Sequence, residues 1–260
     1  MTTTSSVAGG LSPRPGAAPR GRILRTQTFA EVRMTLRNGE QLLLTLVVPL
    51  VVLVGLSHLP PDVVGHSPAI DAVAPGVLAL AVMSTAFTGQ AIATGFERRY
   101  GVLRLLGSTP LGRGGLLVSK TLAVLIVETL QVLLLVVVAK VLGWQPVGSW
   151  PAAVLLLVLG TAAFSALGLL VAGTLRAEAT LAVANGIYLL LLAVGGVVIP
   201  VDRLPAALAP LVSALPSAAL GTGLRDVLLY GSAFPLGPAL VLLVWALVAG
   251  AVTTRTFRWS

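Results

Sequence analysis

Residues 116–142 read "LLVSKTLAVLIVETLQVLLLVVVAKVL", and between Lys120 and Lys140 the one ionisable side chain is Glu128. A helix needs about 20 mostly apolar residues to cross a bilayer, where no water is present to satisfy the backbone polar groups. This run has that length and that character. Working outward, five further stretches do as well: 41–59, 74–95, 151–175, 179–200 and 236–254. Pro49 and Pro75 fall inside two of them, and membrane helices tolerate such breakers. The expectation is an all-α membrane protein with six transmembrane helices.

Composition agrees. Hydrophobic residues make up 56% of the 260, with a mean hydropathy of +0.98, against roughly 45–50% apolar residues in soluble domains. A net charge of +8 could suggest nucleic acid. Here, though, the basic residues sit at the ends of apolar runs without aromatic interleaving, which excludes a nucleic-acid partner. With no cysteine in the chain, neither a disulfide framework nor a thiolate metal site is available. Residues 1–21, "MTTTSSVAGGLSPRPGAAPRG", lack the apolar centre of a secretory signal and read as a disordered cytoplasmic tail. Residues 22–260 read as a single transmembrane domain.

Lys and Arg concentrate in cytoplasmic loops. With the N-terminus inside, the inner side holds Arg14, Arg20, Arg22, Arg25, Arg33, Arg37, Arg98, Arg99, Arg104, Arg113, Lys120, Arg176, Arg255 and Arg258, fourteen of the seventeen basic residues. Lys140, Arg203 and Arg225 fall outside. Both termini are therefore expected in the cytoplasm. Residues 22–40 read as an interfacial helix on the anionic inner leaflet: Arg22, Arg25, Arg33 and Arg37 share one side, with Phe29 among them, and Gln27 and Glu31 interrupt the other. Residues 201–235 are too long for a hairpin and too apolar for a solvated loop. Pro205, Pro210 and Pro216 cut them into one or two short outer-leaflet helices ahead of the last span. The two halves of the chain show no similarity to each other.

Few residues are candidates for chemistry. "GGLLVSKT", residues 114–121, is one substitution from a phosphate-binding loop, but position 119 is Ser, no strand precedes it, and Lys120 stands at the mouth of a span. His58 and His66, with Asp62 and Asp71, show no recurring ligand spacing, so no metal site is expected. No catalytic residues are expected either. A membrane-embedded lipid-modifying enzyme would need an acidic, His or Ser cluster near the interface, and the sequence offers none.

Glu128 lies well inside its span, where an ionisable group costs about 2.5–3.5 kcal/mol on insertion scales. Thr121, Glu128 and Gln131 fall along one helix face. They could line a translocation path, or Glu128 could even drive a proton-coupled secondary transporter. Alternatively they clamp helices together, with Asn185 or Tyr188 as partners. Ser84, Thr85 and Thr88 on the second span read as close-packing residues.

Residues 96–120, "FERRYGVLRLLGSTPLGRGGLLVSK", place five basic residues around Glu97 between two apolar spans. If 97–107 is one helix, Val102, Leu103, Leu105 and Leu106 share an arc opposite Glu97, Tyr100, Gly101 and Arg104. Gly107 and "STP" then stop it. Such an element suits the presentation of a polar face to a soluble partner.

This stretch resembles the loop between spans two and three of ABC type-2 transporter permeases, which include drug-resistance and polysaccharide or lipid exporters. The resemblance rests on Glu97, Arg98, Arg99, Gly101, Leu106, Thr109, Pro110, Leu111 and Lys120 and, across nearly the whole chain, on architecture. It implies that the loop is a coupling helix docking on a separate ATP-binding cassette ATPase, with Glu97, Arg98, Arg99, Tyr100, Gly101 and Arg104 as contact residues. It further implies a dimeric ATPase that binds ATP and Mg, a second permease protomer, no cofactor in this chain, and a bacterial plasma (inner) membrane location.

Overall fold

The computed structural model describes residues 18–60, 66–194 and 209–258. Residues 1–17 of the expected tail, 195–200 of the fifth expected span and 201–208 of the pre-span segment lie outside the described residues.

Among the described residues there are ten helices and no strand. They are α1 Arg20–Arg37, α2 Gly39–Ser57, α3 Ala69–Arg99, α4 Val102–Gly107, α5 Gly112–Val141, α6 Trp150–Thr174, α7 Ala177–Val194, α8 Ala209–Ser213, α9 Pro216–Leu228 and α10 Leu236–Thr256. By length and composition α3, α5, α6 and α10 suffice to cross a membrane, while Thr45–Ser57 within α2 and Ala177–Ala193 within α7 are shorter apolar helices. The protein is thus a multi-pass membrane protein, all-helical among the described residues, with four helices long and apolar enough to span where six were expected and shorter apolar helices at the positions of the other two. Pro49 and Pro75 lie inside α2 and α3.

α3 forms the centre, with nearly every residue from Ala69 to Val82 buried. Small side chains let its neighbours approach. A Cβ on Gly168 of α6 would meet the Phe87 carbonyl oxygen at 2.7 Å, so the two backbones touch there only because position 168 has no side chain. The contact falls on a π-helical segment of α3, Met83–Gly89, the kind of local widening that recurs at functional sites.

The described residues of the stretch before α10 form two short helices, α8 and α9, within the one or two expected. Pro216 opens α9, whose missing N–H is no loss in a first turn. α9 is buried along most of its length, with Leu220, Leu224 and Val227 in the main core. At that same end of the bundle the Val147 N–H donates to the Leu228 carbonyl at 3.2 Å and the Gln145 N–H to Asp71 Oδ1 at 3.0 Å.

The opposite end carries most of the arginines. α1 packs along α5 through buried Thr28, Glu31 and Val32, and leaves Arg22, Arg25, Arg33 and Arg37 exposed beside Phe29.

Candidate functional site

The segment joining α3 to α5 is two helices rather than the single one expected over 97–107. α3 ends at Arg99, and Gly101 takes φ = +78°, a left-handed conformation that glycine adopts without a Cβ clash. The Tyr100 N–H donates to Phe96 O at 2.9 Å and the Gly101 N–H to Arg98 O at 3.1 Å, closing α3. α4 then starts at Val102 and stops where Ser108 and Thr109 fold their hydroxyls back onto the carbonyls of Leu105 and Leu106, at 2.7 and 2.6 Å. Because the chain turns at Gly101, Glu97, Arg98 and Arg99 belong to the last turn of α3 and do not share a face with Arg104.

That break gives the six sequence candidates different surroundings. Glu97 points into the protein: Lys120 Nζ donates to its Oε1 at 2.9 Å and lies 2.8 Å from Oε2, an ion pair without hydrogen-bond geometry. Arg98 also turns inward and donates to the carbonyls of Ala172 and Leu175 at 3.0 and 2.5 Å. These are terminal carbonyls of α6, which no longer have partners within their own helix. Arg99 pairs with Glu178 across the surface, a contact worth little in water. Tyr100 is 74% exposed and stacks on Phe96, while Leu105 is 71% exposed and Arg104 stands beside it.

The apolar arc of the expected helix, Val102, Leu103, Leu105 and Leu106, is thus split. Leu103 is fully buried and Leu105 faces outward. Leu103, Leu111, Leu116 and Phe257 form a separate apolar cluster with Ile23, Leu24 and Leu106 against it. Arg113 adds hydrogen bonds to the carbonyls of Thr254 and Arg255, at 3.4 and 3.1 Å. The loop is thereby fastened to α1, α6 and α10.

Within the bundle, Glu128 and Gln131 are both buried, and each bridges helices. The partner of Glu128 is Thr161 of α6, whose hydroxyl lies 2.9 and 2.8 Å from the two carboxyl oxygens. It is neither Asn185, which is exposed, nor Tyr188, which bonds to Ser84. Gln131 accepts from Thr85 at 2.9 Å and donates to the Thr45 carbonyl at 2.7 Å, joining α5 to α3 and α2. One turn below, Gln90 and Ser165 exchange bonds of 3.3 Å between α3 and α6.

Three contributors, Glu31, Thr161 and Leu105, were not given their roles by the sequence. Glu31 had a signal, an acid on the arginine-free side of an arginine-rich helix with Gln27 four residues before it. Thr161 had a weaker one, as one of three hydroxyls, with Ser165 and Thr174, in an apolar span. Leu105 had none that outweighed its apolarity.

No curated protein gave a match to the chain. Residues 24–229, which run from the first turns of α1 to the residue after α9 and take in the whole fastened loop, match the family described as ABC-2 type transporter. The chain belongs to the ABC-2 type transporter family, as a membrane permease of an ABC transporter.

Proposed function

We propose that this chain is the non-catalytic, membrane-spanning subunit of an ATP-driven exporter. ATP and Mg are bound and hydrolysed by a separate dimeric ATP-binding subunit, and two permease protomers enclose the path. Six spans are proposed, α2 and α7 joining the four long helices. The arginine-rich end faces the cytoplasm, where the excess of Lys and Arg belongs, of a bacterial inner membrane. The cargo is hydrophobic or amphipathic, such as a drug, a lipid or a glycan.

The observation that carries this reading is the exposed surface of the α3–α5 loop. Tyr100 at the end of α3, and Arg104 and Leu105 on α4, stand out from a loop whose base is pinned to three other helices. Exposed aromatic and apolar side chains with an arginine have the composition of a docking centre, and a pinned base lets a push on that centre reach the spans. Of the six candidates, Tyr100, Arg104 and Arg99 make the docking surface. Glu97 and Arg98 support it from within, and Gly101 sets the turn.

Leu105→Glu combined with Tyr100→Ala is the direct test, with the ATP-binding subunit co-expressed. Membrane insertion should be unchanged, while co-purification and stimulated ATP hydrolysis are lost. Undiminished co-purification would remove the docking role. The geometry of Glu128 and Gln131 favours clamping over lining a path, since each is engaged between helices of a single chain.

A further inference from the structure

Lys120 is 4% exposed, and its ammonium contacts two carboxylates, Glu31 Oε2 at 2.8 Å and Glu97 at 2.8–2.9 Å. Gln27 adds a 2.8 Å hydrogen bond to Glu31 Oε1. The three charges come from separate segments, the middle of α1, the last turn of α3 and the third turn of α5. Glu97 and Lys120 stand on either side of the α4 loop, so their pair closes the loop at its base. Glu31 ties α1 to that closure. The apolar cluster around Leu103 and Phe257 joins α1 to α4 and α5 as well.

For stability alone a packed apolar group would serve as well, because burying charges is costly. An ionic cluster adds directional specificity, and loss of one member leaves the others uncompensated. Here one cation is shared between two acids on different elements, so Lys120 can satisfy both only while α1 and the loop base keep one relative position.

We propose that Lys120 is a positioning residue that makes α1 and the α3–α5 loop a single rigid body. Movement of the loop then carries α1 with it, and through the one-residue junction at Asn38 reaches α2. The source of that movement rests on the permease reading; the rigidity does not.

The chain contains no cysteine, so Phe29→Cys and Leu105→Cys, both exposed, can carry spin labels that report one distance by pulsed EPR in liposomes. The otherwise unsubstituted chain should give a single narrow distribution. Lys120→Met should lose it, and the exchange Glu31→Lys with Lys120→Glu, which again sets one ammonium between two carboxylates, should restore it. A broad distribution in the unsubstituted chain would overturn the proposal. So would a narrow one in Lys120→Met, or an exchange variant as broad as Lys120→Met. Should Lys120→Met not reach the membrane, Glu31→Gln carries the test, since it keeps the Lys120–Glu97 pair and loosens α1 alone; an unchanged distance there overturns the proposal too. The distances need no ATP-binding subunit, so a chain that associates with none would refute the permease reading and leave this measurement standing.

Discussion

Arg98 places two N–H groups on the carbonyls of Ala172 and Leu175, where a planar guanidinium can reach both and an ammonium cannot hold the same fork. Arg98→Lys should therefore lower the melting temperature of the purified protein even though the charge is kept. Gly101 is the second decisive position: an L-residue forced into its left-handed conformation costs about 1–2 kcal/mol, so Gly101→Ala should destabilise by that amount in a detergent melt. Thr161→Val would leave the buried Glu128 carboxyl without its donor, at about 1–3 kcal/mol. Glu128→Gln, still able to accept from Thr161, should cost less. Equal losses for those two variants would show that the hydroxyl is not what holds the carboxyl.

Among the elements, α1 and the spans were the most legible in the sequence, because periodicity and length are local properties. The bounds expected for the long spans fall within a few residues of those observed. α4 was harder. Its apolar arc was visible, but the position of the break depended on which glycine turned left-handed, and Gly101 and Gly107 both stand in the stretch as candidates. The π-helical segment Met83–Gly89 left no mark in the sequence; Gly168 packs against it and Thr85 within it bonds to Gln131. It has a testable consequence. A π turn holds about one residue more than an α turn, so deleting Ala86 and letting α3 close into a regular helix should leave Gln90–Arg99 facing nearly as before. An alanine added after Gln90 would instead turn the rest of α3 by about 100° and part Glu97 from Lys120, so the insertion should lower the melting temperature of the purified protein more than the deletion does.

For the molecule as a whole, a reporter fused at residue 108 should lie on the cytoplasmic side, and an outer location would reverse every assignment of faces made above. The membrane class was readable because hydropathy sums over many residues. The inward roles of Glu97 and Arg98 were not, because their partners lie at positions 31, 120, 172 and 175, and only the assembled bundle brings these together. The same limit applies to Thr161 as the partner of Glu128. Phe257 shows what such distance means in time. It completes the cluster of Leu103, Leu111 and Leu116, yet the ribosome makes it long after them. A chain interrupted before Phe257 holds those leucines less covered at the membrane surface, so copies cut short there should be the preferred prey of membrane proteases.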